Sequence, residues 1–195
     1  MESNKILTLL EETGGILKGH FLLTSGRHSD VYIEKFRILE NPIALDSACK
    51  EMSRIVRNEK IELVLGAAIG GILISGGVGR YLNVKHIFSE RNNGQMELKR
   101  GFRILKDQRI LIVEDIITTG GSVFELIKLA HKYDAEIIHI VNLVDRSSKS
   151  IDFKVPSTAL LNIPSESWEP SECPMCKKGE PLSQRGRTGK ELNLV

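Results

Sequence analysis

The chain has 195 residues, of which 41% are hydrophobic and 27% are charged, and its formal net charge at pH 7 is +2. This length and composition predict one compact domain with a sizeable core and small appendages. The near balance of charges gives no general reason to expect a nucleic-acid or membrane partner. The first 15 residues lack a basic segment followed by a long apolar run, so they predict a short helix and a cytoplasmic protein rather than a signal peptide.

Apolar patterns typical of strands and helices alternate along the chain, as in a parallel α/β sheet. Asn41 and Pro42 predict the start of a helix, because asparagine caps a helix and proline fits its first turn. Strands are predicted at 63–66, 84–88, 109–113 and 137–144. The predicted fold class is therefore α/β, an open, mainly parallel twisted sheet flanked by helices. The carboxyl ends of its strands, where ligands bind in such sheets, would gather residues 67–71, 114–122 and 145–146.

The most informative stretch follows the predicted strand at 109–113. Two adjacent carboxylates come first, and hydroxyl and glycine residues then lead into a helical pattern: Glu114, Asp115, Ile116, Ile117, Thr118, Thr119, Gly120, Gly121 and Ser122. Backbone N–H groups at a helix N-terminus bind phosphate well, and glycine allows its close approach. Carboxylates accept hydrogen bonds from hydroxyl groups, so the acidic pair suits a ribose diol. The stretch predicts a sugar-phosphate site.

This order of residues resembles the phosphoribosyl diphosphate (PRPP) motif of type I phosphoribosyltransferases. Segments 19–30 and 145–147 resemble the corresponding parts of the orotate phosphoribosyltransferase family. The resemblance implies that ribose 5-phosphate passes from PRPP to orotate, giving orotidine 5′-phosphate and diphosphate in pyrimidine synthesis. Two alternatives stay open: the same fold acting on another base, or a non-catalytic PRPP-sensing regulator whose basic tail, 184–190, binds nucleic acid.

The resemblance also implies roles for particular residues. Residues 114–122 would bind PRPP, and Asp115 would also take part in catalysis. A second loop would hold pyrophosphate and comprises Ala68, Ile69, Gly70 and Gly71; many family members carry lysine where this chain has Gly70. The polar stretch Glu90–Phe102, the lid segment below, would close over the neighbouring subunit's site in a homodimer and supply the catalytic cations Arg91, Lys99 and Arg100. An ordinary charged hairpin is the alternative interpretation of this stretch. Magnesium would arrive on PRPP oxygens with few protein ligands.

For orotate, the resemblance suggests three contacts. Arg146 would bind the carboxylate through two hydrogen bonds, Thr118 would donate a hydroxyl hydrogen bond, and Tyr32 would stack on the ring. A surface ion pair for Arg146 and a core position for Tyr32 are the alternatives. The expected layout is a single domain, 1–195, with a hood at about 1–40, a core at 41–164 and a C-terminal extension at 165–195.

The three cysteines do not suggest a disulfide framework in a cytosolic protein. Cys173 and Cys176 form a Cys-x-x-Cys pair, which is half of a four-cysteine zinc site. A zinc ion shared between two subunits, a site completed by a histidine, and a tight turn without metal all stay open. Cys49 falls in a helical pattern and is predicted to be a packed thiol.

Overall fold

The computed structural model describes residues 2–23, 25–164 and 166–184. Its contacts divide the chain into two compact units, one combining Met1–Gly15 with Lys35–Pro164 and the other combining Ile16–Glu34 with the described part of Ser165–Val195. The elements in chain order are α1 Glu2–Glu12, β1 Ile16–Leu22, β2 His28–Ile33, α2 Phe36–Leu39, α3 Pro42–Ile55, β3 Leu63–Ala67, α4 Gly70–Leu82, β4 Lys85–Asn92, β5 Gln95–Leu98, β6 Arg109–Ile117, α5 Gly121–His131, β7 Glu136–Asp145, β8 Ser157–Asn162, α6 Pro174–Lys177 and β9 Ser183–Gln184.

The first unit is built on a six-stranded sheet in the order β5-β4-β3-β6-β7-β8. Neighbouring strands from β4 to β8 run parallel, and β5 alone pairs antiparallel at one edge. The central strands read as apolar runs because both of their faces are covered by helices. The predicted α/β class with an open, mainly parallel sheet is confirmed.

Alternate residues of β6 enter two separate cores, as the period of a strand requires. Ile110 and Ile112 pack with the apolar face of α5, whereas Leu111 and Val113 pack with α3 and α4. The two cores place α5 on one face of the sheet and α3 with α4 on the other. This arrangement fixes the carboxyl end of β6 between the starts of two helices, α4 and α5.

Helix α3 begins as the sequence predicts. The side chain of Asn41 accepts hydrogen bonds from the backbone N–H groups of Ile43 and Ala44, both at 3.0 Å, and Pro42 occupies the first turn. The buried face carries Ala48 and Met52, but Ile43 is 72% exposed and does not belong to it. The apolar face of α3 therefore begins after Ile43.

The second unit contains a three-stranded sheet in the order β2-β1-β9. Strands β1 and β2 form an antiparallel hairpin, and the short β9 runs parallel to β1. Further along the chain from β8, the backbone of Trp168 pairs with that of His28, and Arg27 donates hydrogen bonds to the hydroxyl and carbonyl groups of Ser167. The described C-terminal residues thus pack on the hairpin of the same unit.

The basic tail at 184–190 lies outside the described residues apart from Gln184. The layout of hood, core and extension stays a prediction, and the two compact units divide the chain at other positions. Among the helices of residues 2–23, 25–164 and 166–184, none combines the length and apolar character that a membrane span needs.

Candidate active site

Glu114 and Asp115 lie near the carboxyl end of β6 and are only 6% and 3% exposed. One oxygen of Asp115, Oδ2, lies 2.7 Å from Nζ of Lys35, and the other accepts a hydrogen bond of 2.6 Å from the backbone N–H of Ile116. Burial of a carboxylate is costly unless it is paired in this way. Lys35 therefore holds Asp115 as a fixed, charged acceptor.

No cation of the described residues forms a direct ion pair with Glu114, although the charge of Lys35 partly offsets the rise of its pKa. Its Oε1 accepts a 3.1 Å hydrogen bond from the backbone N–H of Asp115, whereas its buried Oε2 has no partner within the described part of the chain. Burial, and then the neighbouring charge of Asp115, raise the pKa of Glu114 well above its usual range. On the paired strand β7, Asn142 lies opposite Glu114, and its amide nitrogen is also buried and unpartnered among the same residues. Two orphaned polar atoms thus lie on neighbouring strands.

The predicted phosphate loop, 118–122, joins β6 to α5. Thr118 and Thr119 are exposed, and Gly120 caps the helix with a φ of 76°. A Cβ atom at Gly120 would lie 2.9 Å from the ring of Phe153, so both its backbone angle and its surroundings require glycine. The first N–H groups of α5, including those of Gly121 and Ser122, have no partner within the helix. Together with the helix dipole they form a cradle for an anion.

The predicted pyrophosphate loop, 68–71, follows β3 and leads into α4, with a cis peptide bond between Ala68 and Ile69. Gly70 lies directly against Asp115: a Cβ atom there would collide with the carboxylate oxygen Oδ2. No larger residue fits at this position while Asp115 keeps its place. A lysine at this position, as the family resemblance suggests for other members, would displace the carboxylate of Asp115.

The parallel pairing brings the ends of β3, β6 and β7 to one edge of the sheet, as predicted. Arg146 follows β7, is 8% exposed, and donates its backbone N–H to the carbonyl of Ile117 at 2.8 Å. A cavity of about 260 Å³ at this edge is lined by residues that include Ile117, Asn142 and Asp145. A larger cavity of about 530 Å³ lies beside α1, α3 and β8 and contains none of the predicted site residues. We regard the smaller one as relevant, because its lining includes Ile117 and Asn142, the residue opposite Glu114 on the neighbouring strand.

The lid segment forms the hairpin of β4 and β5, joined at Asn93 and Gly94. Arg91 makes two hydrogen bonds, of 3.0 and 2.6 Å, to Glu125 of α5, and Arg100 makes two, of 2.9 and 3.0 Å, to Glu90. The hydrogen bond from Arg100 lowers the pKa of Glu90. Two of the three predicted catalytic cations therefore already have carboxylate partners within the chain, and closure of this segment as a lid stays a prediction.

The second unit holds the remaining predicted residues. Tyr32 is half-buried on β2, and its ring centroid lies 5.7 Å from that of Phe21. Cys173 and Cys176 flank the start of α6, and the side chains of His20 and His28 lie beside them. Cys49 belongs to the first unit, where it is fully buried, and burial raises its pKa to about 12. It is a packed thiol, as predicted.

Sequence reasoning missed Lys35 and Asn142, and it left open whether any histidine, and which one, lies beside the cysteine pair. Lys35 is 80 positions before its partner Asp115, and no local pattern relates the two. The spacing between His20 and Cys176 is 156 positions. The only hint of the two histidines in the sequence was a Cys-x-x-Cys pair in a chain that also contains histidines far from it.

The comparisons with known proteins agree with this geometry. The sequence model of the phosphoribosyl transferase domain matches residues 37–172, which include both glycine loops and the acidic pair. A parallel sheet with a buried carboxylate pair and an anion cradle at its edge is what that class of enzyme would need.

Two relatives extend over almost the whole chain. The orotate phosphoribosyltransferase of Caldanaerobacter subterraneus is 41% identical over 95% of this chain and 98% of its own, and that of Thermotoga maritima is 39% identical over 94% and 98%. The chain belongs to the phosphoribosyltransferase family, among the orotate phosphoribosyltransferases. A crystal structure of the Mycobacterium tuberculosis orotate phosphoribosyltransferase shares the fold, with a TM-score of 0.70 at 17% identity over 84% of this chain and 97% of that one.

Proposed function

We propose that this chain catalyses the transfer of ribose 5-phosphate from PRPP to orotate, with release of diphosphate, in the synthesis of pyrimidine nucleotides. The observation that carries the proposal is the buried pair Glu114 and Asp115, directly followed by a helix N-terminus open to an anion. The choice of orotate is supported by relatives that bear this activity in their names and match almost the full chain at about 40% identity.

PRPP would bind with its 5′-phosphate on the N–H groups of the loop 118–122 and its ribose hydroxyls on the acidic pair. Asp115 accepts one hydroxyl hydrogen bond while Lys35 keeps its carboxylate fixed. Glu114 offers Oε2, which is buried and lacks a partner among the described residues. An unsatisfied buried polar atom is costly, so a ribose hydroxyl that pairs with it adds to the affinity.

Magnesium is expected to come with PRPP. Asp115 is already paired with Lys35, and the pKa of Glu114 is raised, so neither carboxyl is well suited as a direct ligand. These residues fit an ion held mainly by the oxygens of PRPP. When bound there, magnesium would neutralise charge on the diphosphate.

The reaction forms a bond between a ring nitrogen of orotate and the anomeric carbon of PRPP while the bond from that carbon to diphosphate breaks, and the proton of that ring nitrogen is released to solvent. We infer that the chain accelerates it chiefly by positioning and by charge. The backbone of residues 68–71 holds the diphosphate, and cations of the lid segment approach it as charge develops. To reach the diphosphate, Arg91 must release Glu125 and Arg100 must release Glu90. Lys99 is the third cation of the lid segment.

Orotate itself needs a cation for its carboxylate, and Arg146 is the proposed partner. It lies at the carboxyl end of β7, next to the end of β6 that carries the acidic pair. Thr118, which is exposed in the loop after β6, would donate a hydroxyl hydrogen bond to orotate. The stacking role of Tyr32 stays a prediction from the sequence. Cytoplasmic location stays a prediction.

The direct test is turnover. The purified chain receives PRPP, magnesium and orotate, and the loss of orotate absorbance is followed, with uracil, adenine, hypoxanthine and guanine in parallel assays of diphosphate release. We expect turnover with orotate alone. Turnover with another base instead of orotate would identify a phosphoribosyltransferase for that base. PRPP binding without turnover of any base would identify a non-catalytic regulator.

The role of Arg146 is tested separately. Arg146→Ala is expected to raise the KM for orotate by about 10- to 100-fold, the loss of one charged two-point contact, with PRPP affinity unchanged. Arg146→Lys should recover only part of the affinity, because lysine keeps the charge but not the two-point geometry. An unchanged orotate KM in Arg146→Ala would assign another cation to the carboxylate.

A homodimer with shared sites is part of the proposal. Sedimentation should give a dimer, and mixing two inactive variants, one changed at Asp115 and one at Lys99, should restore part of the activity by subunit exchange. A monomer with full activity would contradict the shared lid.

A further inference from the structure

The second unit contains a cluster of four side chains that the proposed reaction does not use. His20 of β1, His28 of β2, and the pair Cys173 and Cys176 around α6 bring four ligand atoms within 4.8 Å of one another. Both histidines and Cys173 are buried, and Cys176 is exposed. All four residues belong to one chain and one compact unit.

The distances within the cluster are those of a tetrahedral metal site. His20 Nε2 lies 2.8 Å from His28 Nδ1, 3.5 Å from the sulfur of Cys173 and 3.6 Å from that of Cys176, and His28 Nδ1 lies 3.2 Å from the sulfur of Cys176. With zinc bonds of about 2.3 Å to sulfur and about 2.0–2.1 Å to nitrogen, tetrahedral ligands would be separated by about 3.3 Å between nitrogens and about 3.5 Å between nitrogen and sulfur. These four separations fall within about 0.5 Å of those values, and the other two pairs of ligand atoms lie within 4.8 Å of each other.

The orientation of His20 also indicates a ligand. Its Nδ1 lies 2.9 Å from the backbone carbonyl of Glu180. A carbonyl can only accept, so the ring proton lies on Nδ1 and the lone pair of Nε2 points into the cluster. A backbone carbonyl that orients the second nitrogen of a histidine in this way is the usual companion of a histidine metal ligand.

The charges of the four side chains favour a bound zinc ion. Without metal, the two imidazoles share a single hydrogen bond with each other, and the buried thiol of Cys173 is left with only weak hydrogen-bonding partners. Two thiolates and two neutral imidazoles carry two negative charges, which balance the charge of Zn²⁺. The complex is then neutral and tolerates burial.

We propose that His20, His28, Cys173 and Cys176 bind one zinc ion within each chain. Four protein ligands leave no open coordination position, so the ion is structural rather than catalytic. The ion links the hairpin β1–β2 to a segment about 150 positions later in the sequence. It therefore joins the two separate stretches of chain that make up the second unit. This arrangement differs from a zinc ion shared between subunits, which would use the cysteines alone.

Metal content tests the proposal without reference to activity. The full chain, free of affinity tags and purified with a reductant but no chelator, is analysed for zinc, iron, nickel and copper. We expect about one zinc per chain, and a loss of most of it in His28→Gln and in Cys176→Ser. Cys49→Ala is the matched control and should keep its zinc, because Cys49 lies in the first unit.

Three results would overturn the proposal. The first is a wild-type chain without zinc that also fails to take up added zinc. The second is a disulfide between Cys173 and Cys176 in the freshly purified protein, found by mass spectrometry. The third is His28→Gln with one zinc per two chains, which would indicate the site shared between subunits.

A second measurement does not depend on the folding of the variants. Zinc is removed from the wild-type chain with a chelator, and hydrogen exchange is compared before and after. We expect faster exchange in β1, β2 and residues 166–184, with the strands of the six-stranded sheet unchanged. Equal exchange in both states would contradict a structural metal there.

Discussion

Gly70→Ala tests how the chain positions its acidic pair. A methyl group at this position would overlap Oδ2 of Asp115, the oxygen that lies 2.7 Å from Lys35. The three atoms nearest to the new methyl group all belong to the side chain of Asp115, so this side chain is the group that must move. We expect the displacement of Oδ2 to weaken its contact with Lys35.

The magnitude follows from that contact. One hydrogen bond between charged groups contributes about 1.5–3 kcal/mol, which corresponds to about a 10- to 100-fold change in an equilibrium constant. We expect PRPP to bind Gly70→Ala more weakly by such a factor in titration calorimetry, with a similar loss of kcat/KM for PRPP. Overpacking should also lower the free energy of unfolding in urea by about 1–3 kcal/mol.

Gly76→Ala is the matched control on the same helix α4. A Cβ atom there would lie 3.5 Å from the ring of His86, which is an ordinary contact. Because alanine is favoured over glycine in a helix by about 1 kcal/mol, this variant should bind PRPP normally and be no less stable. Wild-type PRPP affinity in Gly70→Ala would refute the link from Gly70 through Asp115 to the ribose.

Three further predictions concern the charges around the site. Because the pKa of Glu114 is raised, the folded chain keeps a proton on this side chain that the unfolded chain loses near pH 4.5. The contribution of Glu114 to the free energy of unfolding therefore falls as pH rises above that value. In urea, Glu114→Gln should gain stability relative to the wild type by up to about 1.4 kcal/mol per pH unit between about pH 5 and pH 7; a constant difference would contradict a protonated Glu114. Lys35→Met should weaken PRPP binding more than Lys35→Arg, as measured by calorimetry, and equal affinities would remove its positioning role. The lid cations Arg91, Lys99 and Arg100 are each replaced by alanine. At least one variant should lower kcat by about 10²- to 10³-fold with little change in PRPP affinity, whereas the exposed control Lys154→Ala should keep normal kcat. Normal kcat in all three variants would refute a catalytic lid.

The central sheet could be predicted because its strands are buried on both faces. Such strands read as continuous apolar runs, and the residues between them carry cap and turn signals such as Asn41 and Gly120. The order of these elements was enough to place the two glycine loops and Arg146 at one edge. Short elements were not predictable in this way: β9 has two residues and α6 has four, and neither is long enough to show a period.

The site was predicted in its local parts and missed in its pairings. The residues 114–122 are contiguous, so their chemistry is visible in the sequence. The partnership of Lys35 with Asp115 depends on how α2 packs near β6, which no local pattern encodes. The same holds for the approach of His20 and His28 to the cysteine pair.

The replacement of lysine by glycine at position 70 now has a physical account. Position 70 cannot hold a side chain, because the carboxylate of Asp115 fills the space beside it. The cation next to that carboxylate comes instead from Lys35, which reaches Oδ2 from the N-cap position of α2 and whose side chain is one-third exposed. A cation that remains partly in solvent can pair with Asp115 and still approach a bound polyphosphate. We therefore expect Lys35 to take over part of the charge that a loop lysine supplies in other members of the family, and Gly70→Lys to lower activity rather than raise it.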